Sequence, residues 1–120
     1  MICLDTSILI ELHLGNPLFT AYARQDFVIN DLILSEFCGF ILKKHGERAS
    51  DYWFRKLSEY SEAVSKDLLY EAVKLRWKLK NKKISFIDVA TYVFSQQHDC
   101  VLITTDNDFR GLPGVEIISR

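Results

Sequence analysis

Apolar residues along this chain fall into two patterns: short uninterrupted runs, and stripes at three- and four-residue spacing. Ile2-Cys3-Leu4, Phe27-Val28-Ile29, Val101-Leu102-Ile103-Thr104 and Val115-Glu116-Ile117-Ile118 are runs of strand length. A further short strand is expected at Glu62-Ala63-Val64. Thr6 to Leu14 has helical composition and stops at Gly15, and Asn16-Pro17 carries a helix-start signal. The capping pair Asn30-Asp31 opens a helix expected to reach His45 and end at Gly46. Ala49, Trp53, Leu57 and Tyr60 form the stripe of the next helix, over about 47–60. Ser65 caps a helix with an inner stripe of Leu68, Ala72, Leu75 and Leu79. Ser85-Phe86-Ile87-Asp88 has capping-box form and opens a helix to about His98.

Apolar strands alternating with helices predict an α/β fold. A mainly parallel sheet of four to five strands is covered on both faces, with right-handed crossovers. The 120 residues are expected to form a single domain, 1–120, with no linker or repeat. In such sheets ligands collect beyond the carboxyl ends of the strands. Asp5 directly follows the first strand, Asp106 follows Val101–Thr105, and Asp88 lies in the first turn of the helix leading into that strand.

Composition narrows the picture by exclusion. A chain 48% hydrophobic and 26% charged is globular rather than disordered. Fifteen Lys+Arg against 16 Asp+Glu leave a net charge of −1, so nucleic-acid binding has to come from local patches. Cys3, Cys38 and Cys100 show no CxxC or zinc spacing and read as buried thiols of a reducing compartment. No stretch approaches the ~18–20 apolar residues of a membrane span, and the first residues lack signal-peptide form. A soluble cytoplasmic protein is expected. No P-loop, GxGxxG or GxSxG occurs.

Four acids stand out of place. Glu36 has Leu32, Ile33, Gly39 and Phe40 as its helical neighbours and so shares the apolar side of its helix, where a carboxylate needs a cation or hydrogen bonds. Asp5 ends a strand expected to be central, Asp88 interrupts Phe86-Ile87-Asp88-Val89-Ala90, and Asp106 sits in a hydroxyl- and carboxylate-rich strand terminus. Each also has a structural reading: Asp5 as a helix cap, Asp88 as a capping-box partner, Asp106 as a turn acid, Glu36 as a lysine partner. Gathered in one cleft they repel, and must hold protons or bind cations. An all-oxygen donor set suits Mg²⁺ or Mn²⁺ rather than zinc. His13, His45 and His98 have no ligand spacing and read as surface or helix-end residues.

In this order the segments Met1–Ile10, Leu34-Ser35-Glu36-Phe37-Cys38-Gly39, Ile84–Ala90 and Leu102–Phe109 resemble the four motifs of PIN-domain nucleases. The small form is similar to VapC-type toxins of toxin–antitoxin pairs. The resemblance implies a three-layer α/β/α sandwich, usually dimeric. It also implies Mg²⁺- or Mn²⁺-dependent endoribonuclease activity and inhibition by a cognate antitoxin. Carried over by position, Asp5, Glu36, Asp88 and Asp106 match the acidic quartet and Thr105 a supporting hydroxyl. Asp108 falls where some members carry a further acid. Ser7 departs from the Asn of many members, and 46–64 matches no motif.

The roles then expected are metal holding by Asp5, Asp88 and Asp106, with Glu36 completing the shell or deprotonating the attacking water. Asp108 would assist a second ion. Cleavage would leave a 5′-phosphate and a 3′-hydroxyl. Lys74, Arg76, Lys78, Lys80, Lys82 and Lys83 read either as a phosphate-contacting patch or as a solvated helical face. Trp53, Phe54, Trp77, Tyr92 and Phe94 read as core or subunit contacts. A non-catalytic PIN-like RNA- or protein-binding module is the alternative. A phosphoacceptor receiver domain fits less well, lacking the lysine expected near its last strands. RNA class and antitoxin identity are not legible.

Overall fold

The computed structural model describes residues 1–119. Its elements run β1 (Ile2–Leu4), α1 (Thr6–His13), α2 (Thr20–Ala23), β2 (Phe27–Asn30), α3 (Asp31–His45), α4 (Glu47–Ser58), β3 (Ser61–Glu62), α5 (Lys66–Lys78), α6 (Phe86–Gln97), β4 (Val101–Thr104), a 3-10 turn (Asn107–Phe109) and β5 (Val115–Ile117). The strands form one sheet in the order β3-β2-β1-β4-β5, and every pairing is parallel. Cys3 lies beside Val28 on one side and Leu102 on the other.

Successive strand residues point to opposite faces, and both faces are covered. Cys3, Val28 and Leu102 pack with Leu68, Ala72, Val89 and Phe94 under α5 and α6. Their neighbours Leu4, Ile29 and Ile103 pack with Ile8, Ile33, Phe37 and Leu57 under α1, α3 and α4. This two-sided burial is why the strands read as unbroken apolar runs. Phe19, Phe37, Phe94 and Phe109 are fully enclosed; truncating any one to Ala removes about 3–5 kcal/mol.

Local chemistry sets the helix ends. Asn30 Oδ1 accepts from the Ile33 amide at 2.9 Å, and Ser65 Oγ from the Leu68 amide at 3.0 Å. The α6 capping box is complete: Ser85 Oγ accepts from the Asp88 amide at 3.1 Å and Asp88 Oδ2 from the Ser85 amide at 3.3 Å. Helix α3 stops at Gly46, whose φ of +91° and extended ψ suit glycine alone.

Two expectations change and a third narrows. Asn16-Pro17 does not open a helix: Asn16 Oδ1 accepts from the Leu18 amide at 3.1 Å, closing a side-chain turn, and α2 begins only at Thr20. The edge strand is Ser61–Glu62, shifted and cut to two residues. Of the aromatics expected as core or subunit contacts, Tyr92 and Phe94 are buried, while Phe54 and Trp77, 53% and 68% exposed, keep only the subunit-contact reading. No helix among the described residues is long and apolar enough to cross a membrane.

Candidate active site

The strand order determines where a cleft can form. From β1 the chain moves outward through β2 to β3, then returns to the other side of β1 as β4. The switch point is therefore the carboxyl end of β1 and β4, where such sheets leave a crevice. A cleft of about 950 Å³ opens there. Asp5, Glu11, Glu36, Asp88 and Asp106 line it with Thr6, Ser7, Thr105 and Asn107, over an apolar flank of Ile10, Leu14, Phe40 and Ile118. All four acids of the expected quartet face this one cavity, and no Lys, Arg or His is among its described lining residues.

Asp5 is the most constrained. It occupies the cap position of α1, yet its side chain makes no capping hydrogen bond. Oδ2 instead accepts from Thr104 Oγ1 at 2.7 Å and Ser7 Oγ at 3.0 Å. Each hydroxyl then accepts from the next backbone: Ser7 Oγ from the Thr105 amide at 3.1 Å, Thr104 Oγ1 from the Asp106 amide at 3.0 Å. These bonds stitch β1 to the loop after β4. Asp5 Oδ1 is buried with no hydrogen-bond partner, which is costly for a carboxylate oxygen.

Asp106 leads into the 3-10 turn, its Oδ1 accepting from the Asp108 amide at 2.8 Å. The expected turn acid is thus also a cleft acid. Asp88 likewise serves its capping box and faces the cleft. The Asp108 side chain does not line the cavity; its backbone amide holds Asp106. Glu36 requires a correction: it faces the cleft but is solvent-exposed. The buried stripe of α3 is Ile33, Leu34, Phe37 and Ile41, and Glu36 lies beside it on the open rim. Its partner is the Thr6 hydroxyl, which donates to Oε1.

Burial and mutual repulsion act together here. Burial raises the Asp5 carboxyl above the usual range, the Thr104 and Ser7 hydroxyls oppose this, and the Glu36 charge adds to it. Asp88 is pushed up to about 6, first by burial, then by the charges of Asp5 and Asp106 against the opposing Ser85 contacts.

Two contributors escaped the sequence reading. Thr104 supplies a hydroxyl to Asp5, and its signal was a hydroxyl ending an apolar strand. Glu11 is a fifth cleft acid, mostly buried, with Oε2 accepting from Asn16 Nδ2 at 3.0 Å. Its signal was the helical face Ser7, Ile10, Glu11, Leu14.

The PIN-domain family model matches residues 2–115. The chain belongs to the PIN-domain family. No curated protein sequence matches it. Among solved structures, this PIN domain superposes on a toxin–antitoxin complex from Klebsiella pneumoniae with TM-score 0.80 at 24% identity, covering 100% of both chains. It superposes on VapC20 of Mycobacterium tuberculosis, described as a sarcin–ricin loop cleaving toxin, with TM-score 0.78 at 20% identity, covering 94% of this chain and 95% of that one. VapBC2 from Rickettsia felis, bound to a DNA fragment from its promoter, gives TM-score 0.76 at 16% identity over 100% and 99% of the two chains. These likenesses establish the shared PIN fold.

Proposed function

We propose that this PIN domain is a Mg²⁺- or Mn²⁺-dependent endoribonuclease, the VapC-type toxin of a cytoplasmic toxin–antitoxin pair. The observation carrying this reading is a cleft lined by five carboxylates without a cation, with one buried carboxylate oxygen, Asp5 Oδ1, left unpartnered.

A hard divalent ion fits these residues. Asp5, Asp88 and Asp106 offer only oxygen, and their repulsion is relieved by positive charge. Among the described residues, no three His, Cys, Asp or Glu side chains gather into a ready ligand set. Mg²⁺ needs only one or two protein carboxylates, since waters and substrate phosphate complete its shell. When bound, such an ion activates water and neutralises charge on the scissile phosphate.

The residues divide the work. Thr104 and Ser7 hold Asp5 in one orientation, so its unpartnered Oδ1 would be the oxygen left to serve as a metal ligand. The Asp108 amide holds Asp106. Glu36, exposed on the rim and steadied by Thr6, takes the proton from the attacking water. Attack on phosphorus breaks the P–O3′ bond, and the departing O3′ takes a proton from solvent, leaving a 5′-phosphate and a 3′-hydroxyl. A cognate antitoxin is the proposed regulator, because the structural relatives include toxin–antitoxin complexes. A homodimer is proposed through α5, whose outward stripe of Tyr70, Val73 and Trp77 is 63%, 51% and 68% exposed opposite its buried Leu68 and Ala72.

The test is RNA cleavage with and without Mg²⁺ or Mn²⁺, parent beside Asp5→Asn. Metal-dependent cleavage lost in the variant is expected. Equal rates in the two proteins overturn the assignment, and tight RNA binding without metal uptake or cleavage favours a binding module.

A further inference from the structure

Away from the carboxylate cleft, two histidines far apart in sequence meet. His13 is the last residue of α1 and His45 the last of α3. Their Nε2 atoms lie 3.3 Å apart, with ring centres 5.2 Å apart and planes at 64°. Two imidazoles bound through nitrogen at about 2.0–2.1 Å to one tetrahedral ion place those nitrogens about 3.3–3.4 Å and the ring centres about 5.2 Å apart. A straight N–H···N hydrogen bond at the same separation would hold the ring centres farther apart, at about 5.6 Å. The rings therefore do not lie in line along the Nε2···Nε2 axis, and their separations match those of two ligands on one ion.

From this geometry we propose that His13 and His45 form a second metal site, for a borderline divalent ion such as Zn²⁺. It does not depend on the nuclease reading. Imidazole prefers such an ion to Mg²⁺, whereas the all-carboxylate cleft has the opposite preference. Two features favour a cation here. Both ligands stand at helix carboxyl ends, where unsatisfied carbonyls carry partial negative charge. The His13 ring is held edge-on against Phe37, Phe40 and Trp53, with centroid distances of 6.4, 6.5 and 5.8 Å, which limits its motion. Lys44 extends over Phe40 nearby, 5.7 Å from the ring centre, and weakens the site.

With two protein ligands, water completes the shell. The ion clamps the carboxyl ends of α1 and α3, the helices that the Thr6–Glu36 bond joins nearer their starts. Phe40 is a common wall of the histidine pair and the cleft.

The experiment is Zn²⁺ titration calorimetry on the full, untagged chain in excess Mg²⁺, with ring-nitrogen NMR as a second readout. The parent should take up an ion that His13→Gln and His45→Gln each bind at least tenfold more weakly, while His98→Gln retains it. His98 is the control because its Nε2 is already engaged by Glu62, 2.7 Å away. Zn²⁺ should shift the His13 and His45 ring signals together and raise the parent's Tm, but not that of either variant. Unaltered uptake by both variants, or Zn²⁺ that leaves both ring signals in place, overturns the site. Unchanged metal-free melting of the variants separates loss of a ligand from loss of the fold.

Discussion

The cleft has two halves built differently. Asp5 and Asp106 come from the ends of neighbouring strands, and one hydroxyl serves both: Thr104 donates to the Asp5 carboxylate and accepts from the Asp106 amide. Glu36 and Asp88 come from helices. Glu36 is exposed with a single hydroxyl partner, and Asp88 is tied only to the start of its own helix. The strand-end half is preorganised through bonds between distant segments, while the helix half can adjust. The proposed metal-dependent cleavage would use both: the strand-end half to anchor the ion, and the helix half to accept a proton.

The sharpest break in this contrast is Asp5→Asn. Losing a carboxylate with a buried, unpartnered oxygen should remove several kcal/mol of charge stabilisation, a fall of about 10³-fold in metal-dependent cleavage. The same change relieves buried repulsion, so the metal-free Tm should rise by about 2–5 °C. Activity and stability moving oppositely distinguishes a site carboxylate from a structural cap, which would lose both. A Tm that falls with activity intact returns Asp5 to the capping role.

Next comes Thr104→Val, which keeps shape and removes the shared hydroxyl. Supporting groups of this kind typically contribute about 10–100-fold to metal affinity or activity. The loss should appear mainly as a higher Mg²⁺ requirement, read from the metal dependence of the rate. Thr105→Val, one residue on, should cost less, because it leaves the Asp5–Thr104–Asp106 hydrogen bonds in place. The reverse ranking would move the anchor to Thr105.

These two threonines illustrate what the amino-acid pattern can and cannot carry. Strands, helix stripes and the Ser65 and Ser85 caps were legible because each is decided within a few residues. Four of the five cleft acids were legible, yet Glu36 for the wrong physical reason: its apolar neighbours do not bury it, since the buried stripe runs beside it. The Asn16 turn was missed because the same residue types cap helices and close side-chain turns. Glu11, Thr104 and the His13–His45 pair owe their roles to tertiary proximity, Thr104 to Asp5 across 99 positions of chain. Local periodicity does not encode that.

A third, smaller effect concerns how the proposed RNA substrate would approach a cleft of five acids. The basic stretch runs from α5 into the following turn, where Lys82 Nζ donates to the Arg110 carbonyl at 2.8 Å, four residues beyond Asp106. Lys80 Nζ lies 4.2 Å from the centre of the exposed Trp77 ring. Lys82 thus ties the basic stretch to the segment that follows Asp106. Reversing Lys78, Lys80 and Lys82 together should flatten the salt dependence of RNA binding by about 2 in log–log slope, roughly 0.7 per lost phosphate contact. A slope equal to the parent's makes the stretch a solvated face.

The smallest expected effect tests the adjustable half by pH. The Asp88 carboxyl is held at about 6 against an ordinary 3.8. Between these values the folded chain keeps a proton that the unfolded chain has released. Stability therefore falls as pH rises through this window. The group's stabilising contribution is complete below the lower value and gone above the upper. Asp88 is partly exposed, so solvent screening reduces the effect to a few degrees of Tm. In metal-free protein, Tm should decline from about pH 4 to 6 relative to Asp88→Asn, which has no such proton to lose. Saturating Mg²⁺ should restore the parent at pH 7 more than the variant, since the ion replaces the proton as the compensating charge. Parallel melting profiles for the two proteins, with and without Mg²⁺, would mean that Asp88 feels its helix cap and not Asp5 and Asp106, separating it from the strand-end pair.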